Sequence, residues 1–301
     1  MIPITLVTGF LGSGKTTLLK EIIKQNSDRK FVYLVNEFSP ADIDCKLINN
    51  TTSDTVSIPG GSIFCKCLVT QFIHQLSDIP DKFSKPDHPV ERVVIEASGI
   101  ADPKVIRKML RETHLSATYE LQAVVSVVDP VSFPKLLNTL PNIRSQIEAA
   151  DIILLNKIDL VSDSQVNQTE ISIREITPQT PIMKTTHCQF TGNILSMMSK
   201  SSDLTGEYAK CADPHYSTMI LKNNIHSVKQ IKSIIEPIAE DIYRLKGFLK
   251  TDTETYYLDY SASGWEISSP FTETDGSGIS IIVNGANRKK VIDYLKDLEL
   301  L

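Results

Sequence analysis

The stretch Gly9 to Thr16, "GFLGSGKT", carries residue types that grip phosphate. It fits G-x-x-x-x-G-K-[ST] and stands between a strand-like and a helix-like segment, as a phosphate loop must. Glycines let backbone amides converge on phosphate oxygens, and the helix N-terminus adds its dipole. Gly9, Gly12, Ser13 and Gly14 would form this cradle. Lys15 would reach the β- and γ-phosphates, Thr16 would place its hydroxyl on Mg²⁺, and Thr17 would follow in the first helical turn.

Three further stretches suit the same chemistry. "NKID", Asn156 to Asp159, closes an apolar run. Asp159 can accept from the ring N–H and exocyclic amine of guanine, a donor pair that adenine lacks on that edge. Asn156 would contact the base edge and the Lys157 stem would cover the base face. The bland reading is a polar helix cap. "IEASGIADP", residues 95–103, brings Glu96 to a strand end, where it would hold Mg²⁺ through water or orient a nucleophilic water. Gly99 would offer its amide to the γ-phosphate. "VNEFSPADID", residues 35–44, is the expected place of a γ-phosphate-sensitive switch, with Asn36 and Glu37 projecting from a strand end toward the phosphates. Glu37 is the second candidate for positioning water. Asp42 and Asp44 could equally be solvated loop residues.

The fifth stretch, "GGSIFCKC", holds Cys65 and Cys67. In extended backbone, residues i and i+2 face one side, so both sulfurs could meet one soft or borderline ion such as Zn²⁺ or Co²⁺. Two thiolates do not close a tetrahedral site. Glu37, Cys45, His74 and His114 are the candidates for a further ligand. A redox pair is a second reading, although its usual spacing is C-x-x-C. A third is two cysteines buried as small hydrophobes.

The elements needed to position these residues are legible. Short apolar runs at 2–8, 31–35, 92–97, 123–129, 151–156 and 181–184 are separated by helix-length sequence. That pattern predicts an α/β fold: a P-loop NTPase domain whose mostly parallel sheet is covered on both faces, with ligands beyond the strands' C-terminal ends. From about residue 186 the pattern weakens. We expect the P-loop domain over 1–190, a linker over 191–214, and a smaller α+β C-terminal domain over 215–301, ordered β-α-β-β-(β)-β-α, with Tyr216 and Trp265 in its core.

The bulk properties bound the function. The chain has 301 residues and a formal net charge of -5. Without a long basic stretch, nucleic acid is not an expected partner. No apolar run approaches the roughly 20 residues of a membrane helix. The first residues lack the basic n-region of a signal peptide, and five cysteines are few and odd in number. A cytoplasmic location with free thiols is the expectation.

Taken in order, "LVTGFLGSGKTTLL", "VNEF…ID", "IEASGIADP", "VVSVVD", "NKIDL" and, in the second half, "YRLKGFL" resemble the CobW-like metallochaperone GTPases, of the P-loop class that also contains HypB and UreG. The resemblance spans nearly the whole chain. It implies slow GTP hydrolysis, with GTP or GDP and Mg²⁺ bound, coupled to binding of a metal such as zinc or cobalt and its delivery to a client metalloprotein or cofactor enzyme. It also implies that the C-terminal domain recognises the client. One departure stands out: aligning Cys65 and Cys67 with the first two thiols of the family's C-x-C-C puts Leu68 in the third place. A GTP-dependent activation factor that never carries metal is the alternative. A small-molecule kinase is a weaker one, against which "NKID" argues.

Overall fold

Strand β1, Ile2–Thr8, runs through the middle of a seven-stranded sheet ordered β3-β2-β4-β1-β5-β6-β7, every pairing of which is parallel. The others are β2 (Phe31–Glu37), β3 (Thr55–Pro59), β4 (Arg92–Glu96), β5 (Tyr119–Val128), β6 (Ile152–Leu155) and β7 (Ile182–Lys184). A computed structural model describes residues 1–37, 48, 52, 54–59, 61–66, 68–196, 206–209, 215–222, 224–268 and 278–301. The chain divides into two units, Met1–Cys211 and Ala212–Leu301.

The strands are apolar almost without a break because both faces are covered. Ile4, Leu6, Val32, Leu34, Val93 and Ile95 pack into one core, with Phe72, Leu76 and Ile79 of α2 (Val69–Phe83) and Ile106, Met109 and Leu110 of α3 (Val105–Glu112). Their alternates Val7, Tyr33, Val35 and Val94 pack into the other, against Leu18, Leu19, Ile22 and Ile23 of α1 (Lys15–Gln25). Each large side chain so buried contributes on the order of 1.5–3 kcal/mol. The remaining helices of this unit's described residues are α4 (Phe133–Leu137), α5 (Pro141–Glu148) and α6 (Asp163–Ile176).

Two strands differ from the expectation. Strand β3 lies at the sheet edge, and only Ile58 of its five residues is fully buried, so its "TVSIP" has no apolar run to detect. Strand β5 begins at Tyr119 rather than 123. Its first residues alternate, Tyr119 and Leu121 buried, Glu120 and Gln122 exposed, and its register on β1 shifts between Ile4 and Thr5.

Among its described residues, the second unit is a five-stranded antiparallel sheet, β11-β10-β9-β12-β8, with two α-helices. In chain order it runs β8 (Tyr216–Leu221), α7 (Val228–Ile235), β9 (Ile242–Lys250), β10 (Thr255–Ser261), β11 (Gly264–Ser268), β12 (Ile279–Asn284) and α8 (Arg288–Asp297). Ile231, Ile234 and Ile235 of α7 and Val291 and Leu295 of α8 join Leu245, Leu249, Leu258 and Ile281 in one core. Tyr216 is buried, and Trp265 packs partly buried on that core with its ring 4.8 Å from Tyr260.

Candidate functional site

At the end of β1 the chain turns at Gly9, φ +135°, where an added Cβ would lie 2.2 Å from the Val127 carbonyl oxygen. At Gly14, φ +113°, a Cβ would lie 2.5 Å from Asn156 Nδ2. Neither position accepts a side chain, and the backbone between them curls in front of α1. Lys15 is buried and donates from Nζ to the Phe10 carbonyl at 3.1 Å, folding back over its own loop. The Ser13 hydroxyl in the loop and the Ser98 hydroxyl just past β4 are both buried and have no hydrogen-bond partner among the described residues. Thr17 is exposed on the first turn of α1.

Parallel pairing sets Val7 of β1 against Glu96 of β4, so both strands deliver their ends to one edge. There Thr16 Oγ1 donates to Glu96 Oε1 at 3.1 Å, and Glu96 is buried. A hydroxyl and a carboxylate side by side form the oxygen donor set that a hard cation such as Mg²⁺ takes, so these residues fit that ion. Gly99 closes on the phosphate loop, since a Cβ there would stand 2.5 Å from the Leu11 amide nitrogen. Gln146 of α5, also buried, donates to the carbonyls of Gly99 at 3.1 Å and Ala101 at 3.2 Å.

Asn156 follows β6 and is buried among three loops. Its Nδ2 donates to the Ser13 carbonyl at 3.0 Å, and its Oδ1 accepts from the Cys188 amide at 2.8 Å and the Thr185 hydroxyl at 3.2 Å. Its carboxamide therefore joins the phosphate loop to the segment after β7, where the sequence reading placed it against the base edge. Lys157, at φ +59°, turns the chain so that Asp159 stands exposed on a short 3₁₀ turn, Ile158–Leu160. The segment Thr185–Gln189 escaped the sequence reading, which let the pattern lapse at 186. Its signal was positional: it follows the C-terminal end of a parallel strand, the ligand side of such sheets. Cys188 Sγ donates to the Gly14 carbonyl at 3.4 Å, and burial pushes its thiol up to about 12.

Asn36, near the end of β2, does not face open space. Its Nδ2 donates to the carbonyls of Ile58 at 2.9 Å and Gly61 at 2.8 Å. Its Oδ1 accepts the amides of Ile63 at 3.0 Å and Ser98 at 3.2 Å. Glu37 ends β2 opposite Pro59, and its side chain lies outside the described residues, as do Asp42, Asp44 and Cys45.

Cys65 is a buried free thiol and Cys67 lies outside the described residues. Cys65 is not in a run of extended backbone, the conformation that the period-two argument assumes for it, and how Cys67 faces lies outside the described residues. Its carbonyl accepts the amides of Leu68 at 3.2 Å and Val69 at 3.0 Å, a tight turn winding into α2. His74 is exposed and paired with Asp78 one helical turn on, Nδ1 to Oδ2 3.2 Å, and His114 is exposed at φ +60°. Among the described residues no group of three or more His, Cys, Asp or Glu is placed to hold a metal ion.

Residues 206–209 lie across this side of the first unit. The Gly206 amide donates to the Lys104 carbonyl at 3.0 Å, Glu207 pairs with Lys108 at 2.7 Å, and the Tyr208 hydroxyl donates to Glu112 at 2.9 Å. Ala209 then pairs with the thiol loop, its amide donating to the Phe64 carbonyl at 3.0 Å and its carbonyl accepting the Lys66 amide at 3.2 Å. Ile194 and Leu195 are buried in the α1 core. These described parts of the stretch expected as a linker therefore pack within the first unit. Beneath Gly206, burial raises the Asp102 carboxyl above the usual carboxylate range, the Lys104 amide hydrogen bond opposing it.

Residues 3–184 match the nucleotide-binding domain of the CobW/HypB/UreG family. The zinc chaperone YjiA of Escherichia coli K12 is 27% identical over 269 residues, covering 84% of this chain and 83% of its own. The zinc chaperone CobW of Sinorhizobium sp is 24% identical over 324 residues, covering 92% and 89%. The zinc-regulated GTPase metalloprotein activator 1 of Saccharomyces cerevisiae is 27% identical over 209 residues, covering 61% of this chain and 48% of its own. The chain belongs to the CobW/HypB/UreG family, whose nucleotide-binding domain makes up most of its first unit.

Proposed function

We propose that this protein is a GTPase of slow intrinsic rate that couples its nucleotide state to binding a transition metal and delivering it to a client metalloprotein. The observation that carries the reading is the meeting of Lys15, Thr16 and Glu96 beside a glycine cradle, with Asn156 tying that cradle to a second loop. The backbone amides from Gly9 to Thr17 would hold the phosphates. Lys15 would exchange the Phe10 carbonyl for the β- and γ-phosphates. Thr16, and Glu96 directly or through water, would hold Mg²⁺, which when bound neutralises phosphate charge. Glu96 or Glu37 would position the attacking water, and the Gly99 amide would meet the γ-phosphate. Asp159 would select guanine, with Lys157 covering the ring. None of these motifs supplies an arginine finger, which accords with slow turnover and stimulation by a partner.

Cys65 and Cys67, with Glu37 as a third donor, are the proposed transition-metal ligands. The names of the relatives favour zinc as cargo. Cytoplasmic action fits a chain in which no helix among the described residues is long and apolar enough to cross a membrane. Our proposed domain plan keeps a nucleotide part over 1–190 and a client-docking part over 215–301, joined by 191–214, whose described residues 194–195 and 206–209 pack on the first unit.

The test is anaerobic titration of Co²⁺ and Zn²⁺ into reduced protein with GDP or a non-hydrolysable GTP analogue. A thiolate-to-cobalt band that depends on nucleotide, and is lost in Cys65→Ala/Cys67→Ala while GTP binding persists, is the expected result. A protein that binds GTP and shows no band in either state is instead an activation factor that carries no metal.

A further inference from the structure

We propose that the Asn36 carboxamide, backed by the strap 206–209, is the coupling element that makes the thiol loop follow the γ-phosphate loop. This deepens the functional reading above and rests on it for one point, that nucleotide acts on residues 98–99.

A carboxamide has two donor hydrogens and an acceptor oxygen with two lone pairs. Asn36 uses all of them, on Ile58, Gly61, Ile63 and Ser98, and is itself buried. One planar group thus spans three segments: the end of β3, the thiol loop at 61 and 63, and the loop after Glu96. Its bond to the Ser98 amide is already 3.2 Å long. Hydrogen bonds are lost near 3.5 Å, so a shift of Ser98 away from Asn36 on β2 by well under an ångström must either break this bond or draw the carboxamide along. The carboxamide cannot follow without moving Gly61 and Ile63, because leaving a buried polar group unpaired is unfavourable.

The strap fastens the same two loops a second time. Gly206 is bonded to Lys104, five residues beyond Gly99, and Ala209 is bonded to Phe64 and Lys66 on either side of Cys65. An added Cβ at Gly206 would stand 2.9 Å from Lys104 Cβ, so the strap is seated closely there. Two separate ties thus join the loop that would sense the γ-phosphate to the loop that carries the thiol. Asn36 is a positioning residue in this scheme, and it acts only through the loops it holds.

Hydrogen–deuterium exchange on the full chain with Mg²⁺, comparing GDP with a non-hydrolysable GTP analogue, tests this in wild type, Asn36→Asp and Ala209→Pro. Asn36→Asp keeps the acceptor for Ser98 and Ile63 and loses the donors to Ile58 at the end of β3 and to Gly61 of the thiol loop, so that a carboxylate faces both carbonyls. Ala209→Pro removes the amide bonded to Phe64 on a part-exposed strap and serves should the buried variant not fold. In wild type, peptides covering 96–101 and 61–66 should change exchange together. In each variant 96–101 should still respond while the response at 61–66 is reduced. The Co²⁺ affinity ratio between nucleotide states, expected in wild type within the roughly 5- to 150-fold of ordinary couplings, should move toward one. A wild type in which 96–101 responds and 61–66 does not overturns the coupling and spares the GTPase reading. So do variants that retain the full response at 61–66. No effect of guanine nucleotide at 96–101 overturns the functional reading, and the coupling with it.

Discussion

Replacing Gly14 by alanine would set a methyl group 2.5 Å from Asn156 Nδ2 and 3.2 Å from Cys188 Sγ, at a φ of +113°. The left-handed backbone costs a β-carbon about 1–2 kcal/mol. The Asn156 amide must also withdraw, because no real Cβ tolerates 2.5 Å, and its 3.0 Å bond to the Ser13 carbonyl is then lost. An orphaned buried carbonyl adds about 1–3 kcal/mol, for a total of about 2–5 kcal/mol. Cys188 reports the opening of this corner directly. It is buried and its thiol is pushed up to about 12, so alkylation near pH 8 proceeds only through opened molecules. At about 1.4 kcal/mol per decade, Gly14→Ala should accelerate alkylation of Cys188 roughly 30- to 4,000-fold, read by mass spectrometry of its peptide. Asn156→Ala alone should also accelerate it, by orphaning the Ser13 carbonyl and the Cys188 amide. In the double variant the clash is gone and the Ser13 carbonyl is orphaned only once, so the effect should fall short of the sum by about 1–3 kcal/mol. Additivity within about 0.5 kcal/mol would refute the reasoning, since the methyl and the carboxamide would not then compete for one space.

Three further outcomes are expected. Thr16→Ala removes the hydroxyl beside Glu96 and should cut the Mg²⁺ enhancement of GTP-analogue affinity by about tenfold or more, measured by calorimetry with and without the ion. Asp159→Asn should weaken GDP by roughly 10- to 100-fold and favour the xanthine nucleotide, whose carbonyl replaces the guanine amine; equal GDP affinity in a competition assay would remove Asp159 from base recognition. Asp102 titrates above 3.8 in the folded protein because it is buried, so its ionisation costs stability as pH rises from 3.8 through its raised folded value. Asp102→Asn should therefore stabilise the first unit at pH 7, and the gain in denaturant midpoint should vanish below about pH 3.8.

The parallel sheet is legible in the sequence because strands buried on both faces have to be mainly apolar, and β1, β2, β4 and β6 carry such runs, their polar residues falling mostly at strand ends. Where a strand has only partial cover, as along β3 or the first residues of β5, no such run exists and the reading fails for that reason. In the candidate site, the residues of the phosphate loop stand out because a tight turn around an anion admits few side chains. The surroundings do not stand out in the same way. Asn36 and Asn156 are ordinary letters in the sequence, and their bonds reach partners from 22 to 143 residues away. Cys188 likewise gives no local hint that it lies against Gly14. At Cys65 the period-two argument assumed extended backbone, whereas the chain is already winding into α2 there.

The walls of the nucleotide corner arrive in the order of synthesis. The phosphate loop emerges first, its Glu96 partner lies 80 residues behind Thr16, and Cys188 lies 174 behind Gly14. At about 5–20 residues per second, roughly 9–35 s separate that loop from its last wall. Through that interval β1 also lacks both of its neighbours until β4 and β5 appear, so the loop hangs on an unpaired strand. A chain translated short of residue 188 therefore lacks the last wall packed against Gly14, and the first unit, which runs to Cys211, is still incomplete when that wall arrives.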